Sequence, residues 1–305
     1  MNILVGYTGF VGSNIYAHGD FQGAFNSKNI SAAFGLEPEL LVYAGLRAEK
    51  FLANSAPEKD MQLILQAEDN IARIAPKKLV LISTIDVFPS PKGVDETTPI
   101  DPAGMQAYGY DRLMLERWVR ENYPDALIIR LPGLFGKNIK KNFIFDYIRH
   151  IPSMLRPEKL EELSRVQPGI AGFYTLEANG FYKCRALTAD EERGLKAMLK
   201  ETGFSALNFT DSRSVYQFYP LSRLWRDICT ALSAGLTLFH PATEPVSAGE
   251  LYEYLSGEPF VNELGGTPAD YDYRTVHSAL FGRSDGYICG KEQVMREIKQ
   301  FVESY

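Results

Sequence analysis

The sequence predicts an α/β fold with a doubly wound parallel sheet, and two observations carry that prediction. Residues 1–5 form a short apolar strand that runs directly into the glycine-rich turn Gly6-Tyr7-Thr8-Gly9-Phe10-Val11-Gly12. Strand-like and helix-like segments then alternate as far as residue 136, with helices of about 15 residues, which favours right-handed βαβ crossovers and a parallel sheet.

Each element has a local signature. In the first strand Ile3, Leu4 and Val5 are consecutive and apolar, as in parallel strands that are covered on both faces. Apolar runs and periodicity predict the other elements. Strands are expected at residues 23–26, 40–44, 78–83, 126–131 and 236–239, and helices from near residue 13 and at residues 58–74, 106–121, 157–165, 189–202, 222–234 and 247–257.

The alternation loosens after residue 137, which predicts two regions. We expect a larger domain at residues 1–150, to which residues 215–245 return, and a smaller, interleaved region at residues 151–305. The smaller region is expected over the carboxyl ends of the strands, where ligands bind in open α/β sheets.

Composition excludes several function classes. The 305 residues carry a net charge of −6, and no basic run suited to nucleic acid or anionic lipid is present. The three cysteines and four histidines are scattered, which argues against a disulfide framework and against a metal site. Neither a signal peptide nor a membrane-length apolar stretch is recognisable, so we expect a cytoplasmic protein.

The glycine-rich turn predicts a dinucleotide site. Glycines at this spacing allow a tight turn, close backbone approach to a pyrophosphate and close helix–strand packing, and the free amides of the following helix meet the phosphate charge. A strand–turn–helix without a ligand would show the same pattern. The predicted cofactor contacts here are Gly6, Thr8, Gly9, Phe10, Val11 and Gly12.

Two polar segments are expected beside a bound nicotinamide. Thr84 closes the strand at residues 78–83, and Tyr108 and Arg112 lie one turn apart on the next helix. A cation on that helix face would lower the pKa of the Tyr108 phenol, and the Thr84 hydroxyl could hold a substrate oxygen beside it. Tyr108 could instead be a packing residue at a helix start.

These segments together resemble the extended short-chain dehydrogenases/reductases, in the group of NAD(P)-dependent nucleotide-sugar epimerases, dehydratases and reductases, which have the Rossmann fold. The resemblance covers residues 1–150 and, loosely, 215–257. It rests on Gly6/Gly9/Gly12, Ala44-Gly45, Ser83-Thr84-Ile85-Asp86-Val87-Phe88, Tyr108-Gly109 and Arg130-Leu131-Pro132-Gly133-Leu134-Phe135-Gly136.

The resemblance implies roles for particular residues. Thr84 matches the catalytic Ser/Thr and Tyr108 the general acid/base, whereas Arg112 stands where the family has a lysine that lowers the tyrosine pKa and binds the nicotinamide ribose. Arginine keeps the charge but not the reach. Further cofactor contacts are implied at Ala44, Gly45, Ser83, Tyr108, Arg112, Leu131 and Pro132, and substrate contacts at Asp86 and Arg223. Asp86 and Arg223 could equally be solvated charges.

Cofactor preference depends on the end of the second strand. NAD enzymes usually place an acidic residue there to accept from the ribose hydroxyls. This chain has Asn26, Ser27 and Lys28 instead, which favours NADP(H) over NAD(H), although Lys28 could be a solvated loop lysine.

The sequence is therefore consistent with two alternative functions. The first is an NAD(P)-dependent oxidoreductase or epimerase that acts on a nucleotide sugar or related polyol. The second is a catalytically degenerate cofactor-binding sensor or interaction protein, motivated by Arg112. The resemblance also implies a homodimer through the helices at residues 58–75 and 106–121, with Met61, Leu65, Met114 and Trp118 at the interface, although burial within the subunit would explain the same residues.

Overall fold

Strands and helices alternate through the first 131 residues of the computed structural model, which describes residues 1–305. Helix α1 begins at Phe10, not near Ser13 as predicted, because Gly9 already has the extended backbone of an N-cap. Helix α2 was not predicted. The elements are β1 (Asn2–Val5), α1 (Phe10–His18), β2 (Gly23–Phe25), β3 (Leu40–Tyr43), α2 (Lys50–Ser55), α3 (Pro57–Ile74), β4 (Leu79–Thr84), α4 (Ala107–Asn122) and β5 (Leu127–Leu131).

Shorter elements follow in the second half of the chain. The strands are β6 (Gly133–Phe135), β7 (Met154–Leu155), β8 (Tyr174–Leu176), β9 (Tyr182–Cys184), β10 (Val215–Tyr216), β11 (Phe218–Pro220), β12 (Leu238–Phe239) and β13 (Val246–Ser247). The helices are α5 (Phe143–Arg149), α6 (Pro157–Val166), α7 (Ala189–Glu201), α8 (Leu224–Ser233), α9 (Ala248–Ser256) and α10 (Lys291–Ser304). None of the helices is long and apolar enough to cross a membrane.

The central sheet has six strands in the order β12-β5-β4-β3-β1-β2, and every neighbouring pair is parallel. The chain moves outward from β1 to β2 and then returns to the other side of β1 to form β3. The strand order therefore reverses beside β1, and ligands bind at such switch points, outside the carboxyl ends of the strands. The predicted Rossmann-type α/β fold is confirmed.

The return from β2 to β3 is short. A single 3-10 turn at Ile30–Ala33 occupies the connection, where a doubly wound fold usually has a full helix and a further strand. As a result β2 is the edge of the sheet.

Two compact units divide the chain. The first contains residues 1–139, 215–246 and 270–298, and the second contains residues 140–214, 247–269 and 299–305. Residues 270–298, which the sequence analysis placed in the smaller region, lie in the first unit because bridges join Asp272 to Lys92 and Cys289 to Thr243. The second unit has an antiparallel sheet in the order β7-β9-β8, and its core includes Leu155, Leu163 and Leu195.

A buried polar network crosses the core of the first unit. The Glu116 carboxylate accepts hydrogen bonds from the Arg130 guanidinium and, over 2.5 Å, from the Ser83 hydroxyl. Arg130 Nη1 also lies 3.3 Å from His240 Nε2. Burial and the nearby Arg130 charge lower the pKa of His240 to about 3, so the imidazole is neutral. The network connects β4, α4, β5 and the residue after β12.

Candidate active site

The glycine-rich turn has a geometry that only glycine allows at two positions. Gly6 has a φ of +92°, and a Cβ atom there would lie 2.3 Å from the Ala44 carbonyl oxygen. A Cβ atom on Gly12 would lie 2.1 Å from the Gly6 carbonyl oxygen. The first glycine thus lets β1 pass close to the end of β3, and the second lets α1 pack against the turn. Gly9 caps α1, and no side chain occupies the helix N-terminus.

Three adjacent strands present the predicted residues at one edge of the sheet. Gly6 follows β1, Ala44 and Gly45 follow β3, and Thr84 ends β4. Parallel strands lie about 4.8 Å apart, so the glycine turn and Thr84 are separated by about 10 Å along this edge. Thr8, Gly9 and Gly45 are exposed, whereas Phe10, Val11 and Ala44 are half-buried.

The loop after β2 carries the predicted determinants of cofactor choice. Ser27 and Lys28 are exposed, and Asn26 shapes the turn because its side chain accepts a hydrogen bond from the Lys28 amide over 2.9 Å. No acidic side chain lies between residues 26 and 29.

Thr84 and Tyr108 meet beside β4. The Thr84 side chain lies close enough to Tyr108 to lower the pKa of its phenol, and the Thr84 hydroxyl accepts a hydrogen bond from the Asp86 amide over 3.2 Å. Gly109 makes this approach possible, because a Cβ atom there would lie 2.1 Å from the Asp86 carbonyl oxygen. The first turn of α4 therefore packs directly on the turn after β4.

The acidity of Tyr108 differs from the prediction. The side chain is only 7% exposed, and this burial raises the pKa of the phenol, which outweighs the lowering by Arg112. The charges of Asp86 and Asp60 raise it further, and the nearby Thr84 hydroxyl lowers it. Arg112 acts in the predicted direction, but Tyr108 is a neutral phenol in the ligand-free protein.

Arg112 is fully engaged inside the first unit. One guanidinium nitrogen forms an ion pair with Asp60 of α3, and the other donates to the Arg47 carbonyl oxygen over 2.7 Å. The guanidinium carbon lies 4.1 Å from the centre of the Tyr108 ring, so the cation covers the ring face. This is where arginine and lysine differ, because the planar fork reaches two acceptors at once.

A second carboxyl adjoins this ion pair. Asp111 is 3% exposed, and its Oδ2 atom has no hydrogen-bond partner. Burial, followed by the neighbouring Asp60 carboxyl, raises the pKa of Asp111 to about 6. A protonated Asp111 can donate to Asp60, so the two carboxyls and Arg112 form one coupled cluster behind Tyr108.

Asp86 is partnered rather than free in a loop. Its Oδ1 atom accepts from the Tyr271 hydroxyl over 3.1 Å and lies 3.2 Å from Lys50 Nζ. Burial, then the charge and hydrogen bond of Asp86, raise the pKa of Tyr271, which is therefore a neutral donor. The side chains of Asp86 and Lys50 are 21% and 47% exposed, so this side of the site is open to solvent.

Other predicted residues have internal partners. Ser83 donates to Glu116 in the buried network, and Leu131 is buried at the end of β5, with Pro132 half-buried after it. Arg223 forms an ion pair with Glu297 and lies 3.5 Å from Cys289 Sγ. Thr84, Asp86, Tyr108 and Arg112 come together, whereas Ser83 and Arg223 point to protein groups.

The sequence analysis missed five contributors: Arg47, Lys50, Asn54, Asp60 and Tyr271. Asn54 Oδ1 accepts from the Tyr108 amide over 3.0 Å and thereby caps α4, whose own N-cap residue supplies no side-chain hydrogen bond. No motif marks these residues, because each acts through a partner that is distant in sequence. Of these five residues, Asp60 could have been anticipated, because it lies on the amphipathic helix that was predicted beside α4.

The residues present fit a dinucleotide. The N-terminus of α1, where no side chain makes a capping hydrogen bond, supplies amides for a pyrophosphate, and the space left by the missing Cβ atoms lets the backbone approach it. No group of three or more His, Cys, Asp or Glu side chains is arranged to hold a metal ion.

Comparison with known proteins agrees with this geometry. The family model described as the RmlD substrate binding domain matches residues 1–155. No curated protein matches the sequence.

Solved structures match over nearly the whole chain at low sequence identity. A dTDP-4-dehydrorhamnose reductase from Yersinia enterocolitica is 13% identical with a TM-score of 0.61, over 99% of this chain and 98% of that one. The same enzyme from Bacillus anthracis, in complex with NADP, is 14% identical with a TM-score of 0.63, over 100% and 98%. The UDP-glucose 4-epimerase of Thermotoga maritima, with UDP-glucose, is 15% identical with a TM-score of 0.59, over 99% and 98%. At these identities the matches show a shared fold.

Proposed function

This chain belongs to the RmlD substrate-binding domain family of extended short-chain dehydrogenases/reductases, and on that premise we propose that it is an NAD(P)(H)-dependent oxidoreductase of nucleotide sugars. One observation carries the proposal. Thr84 ends β4 on the sheet edge that also holds the glycine-rich turn, and Tyr108 lies beside it in the first turn of α4. The solved relatives act on dTDP- and UDP-linked sugars, which supports the substrate class.

In this proposal Tyr108 is the acid/base and Thr84 orients the substrate oxygen. A bound nicotinamide supplies or accepts the hydride. Because burial keeps Tyr108 protonated at neutral pH, its phenol can donate a proton to a carbonyl oxygen as the alcohol forms. Thr84 holds the same oxygen by a second hydrogen bond. A neutral phenol favours the reduction of a keto sugar over the oxidation of a hydroxyl.

The test is a screen of keto nucleotide sugars with NADPH, followed by nicotinamide absorbance. Tyr108→Phe should lower turnover by about a hundredfold or more, the usual contribution of a positioned acid. NADPH affinity should change little. Thr84→Val should lower turnover and Thr84→Ser should largely restore it. Unchanged turnover in Tyr108→Phe would remove Tyr108 as the acid.

We further propose NADP(H) as the preferred cofactor. Ser27 and Lys28 are exposed at the end of β2, and no carboxylate there would repel a 2′-phosphate. Lys28→Ala should weaken NADPH binding by about tenfold, as expected for one charge-assisted hydrogen bond, and leave NADH binding unchanged. Lys59→Ala, which removes an exposed lysine from α3, is the matched control. Fluorescence titration that gives tighter NADH than NADPH binding would contradict the preference.

A catalytically degenerate cofactor-binding protein is the second candidate. The observation in its favour is the commitment of Arg112 to Asp60 and to the Arg47 carbonyl, which leaves the family's lysine position occupied by a structural cation. Binding of NADPH without turnover of any keto nucleotide sugar would favour this candidate.

A homodimer through α3 and α4 also stays a proposal. Leu65 is 57% exposed on α3, whereas Met61 and Trp118 pack partly on the core of the first unit and Met114 packs on a second buried cluster. Sedimentation that shows only a monomer, with Leu65→Glu without effect, would contradict the dimer.

A further inference from the structure

We propose that Lys50 is a positioning residue of this active site and acts through Asp86 on the phenol of Tyr108, an inference that rests on the function proposed above. Lys50 begins α2 and belongs to no motif in the sequence. Because arginine replaces the lysine implied one turn after Tyr108, another cation can take part in controlling the ionisation of this phenol.

The charge of Arg112 is already balanced. Its guanidinium pairs with Asp60, and its side chain is only 4% exposed. It contacts the ring face of Tyr108 and not the solvent-exposed side of the site. Arg112 lowers the pKa of Tyr108, but its ion-pair partner Asp60 raises it, so the effect of the pair on the phenol is smaller than that of a free cation.

Asp86 supplies the negative charge that most strongly opposes ionisation of Tyr108. Its backbone carbonyl packs against Gly109 in the first turn of α4, and the charge of its carboxylate disfavours the phenolate of Tyr108. Lys50 Nζ, 3.2 Å from Asp86 Oδ1, offsets that charge, and the Tyr271 hydroxyl donates to the same oxygen. Loss of Lys50 would leave Asp86 free to oppose ionisation of Tyr108.

Hydrogen bonds to α4 fix the position of helix α2, which carries Lys50. Asn54, one turn after Lys50, accepts from the Tyr108 amide, and its Nδ2 atom donates to Gln106 Oε1 over 2.7 Å. The Arg47 carbonyl at the other end of the segment accepts from Arg112. Both ends of residues 47–54 are thus fixed to the helix that carries Tyr108.

The groups that face Tyr108 come from four elements. Arg112 lies on α4 itself, Asp60 comes from α3, and Asp86 and Thr84 come from the end of β4 and the turn after it. Tyr271, on the segment after residue 270, also lies close enough for Tyr108 to oppose its ionisation. Among these groups only Asp86 carries the Lys50 ion pair.

The experiment measures the reactivity of the Tyr108 phenolate without a substrate. Tetranitromethane nitrates phenolates, and Tyr108 and Tyr110 lie on one tryptic peptide, residues 93–112, so mass spectrometry gives their nitration ratio directly. Tyr110 is 38% exposed and serves as the internal reference. The ratio is compared in the full-length protein and in its Lys50→Met, Lys50→Arg, Asp86→Asn and Lys59→Met variants.

Lys50→Met should lower the Tyr108/Tyr110 nitration ratio by about threefold, the size expected of a half-exposed ion pair. Lys50→Arg should restore it, Lys59→Met should not change it, and Asp86→Asn should raise it. In the Asp86→Asn background Lys50→Met should have no further effect. These results would support the inference whether or not Tyr108→Phe abolishes turnover.

Three results would overturn the inference. They are an unchanged ratio in Lys50→Met, an equal decrease in the Asp86→Asn background, and no nitration of Tyr108 in any variant. The first would show that Lys50 does not influence the phenol, and the second that it acts without Asp86. The third would show that the phenol does not face the open side of the site. Failure of the proposed function would appear separately, as full turnover in Tyr108→Phe.

Discussion

Replacement of Arg112 by lysine tests whether this site is built for arginine. Lysine has one ammonium, which can keep the ion pair with Asp60 but cannot also donate to the Arg47 carbonyl 2.7 Å from the present guanidinium. A partly buried hydrogen bond of this kind contributes about 0.5–1.5 kcal/mol. We therefore expect Arg112→Lys to lower the free energy of unfolding by about that amount.

Turnover should fall in the same variant, because the guanidinium also covers the ring of Tyr108. Arg112→Met should be worse, with a loss of about 3–5 kcal/mol, since it leaves the Asp60 carboxylate buried and unpaired. The double variant Arg112→Met/Asp60→Asn should recover part of that loss. Urea unfolding followed by circular dichroism measures all three variants.

An Arg112→Lys variant that is as stable as the unchanged protein and has faster substrate turnover would refute this expectation. That outcome would mean that lysine can reach the catalytic position, and that arginine marks a degenerate catalyst. Equal stability with equal turnover would also refute it, because the second hydrogen bond would then have no energetic value.

Three further changes have distinct signatures. Gly12→Ala should abolish NADPH binding, measured by fluorescence, because its Cβ atom would overlap the Gly6 carbonyl; binding within twofold of the unchanged protein would contradict the close contact. Glu116→Gln should lower the free energy of unfolding by about 3–5 kcal/mol, since it leaves Arg130 buried without its partner. Asp146→Asn should stabilise the protein at pH 8 by about 4 kcal/mol but not at pH 4, because burial raises the pKa of Asp146 to about 7. The native carboxyl keeps a proton that the unfolded chain releases as pH rises above about 4, so its stabilising effect is lost up to pH 7. A gain of equal size at both pH values would contradict this assignment.

The sequence alone determined the fold and the close backbone contacts of the glycine-rich turn. Apolar runs, helical periodicity and proline positions are local signals, and they placed the strands and long helices of the sheet. The spacing of Gly6, Gly9 and Gly12 also identified the turn correctly, since steric exclusion of a Cβ atom depends on backbone geometry that the turn itself imposes. Thr84 was named because it closes a strand and Tyr108 because it opens a helix with a cation one turn later, and the family resemblance implied their roles.

Only the tertiary structure decided the partners of the charged groups. Arg112 meets Asp60 across 52 residues of sequence, and Asp86 meets Tyr271 across 185. These contacts depend on how α3, α4 and the late segment pack, and no local sequence pattern encodes that packing. The direction of the Tyr108 pKa shift was also decided by the tertiary structure. A nearby cation can be read from the sequence, whereas the burial that outweighs it is a property of the folded core.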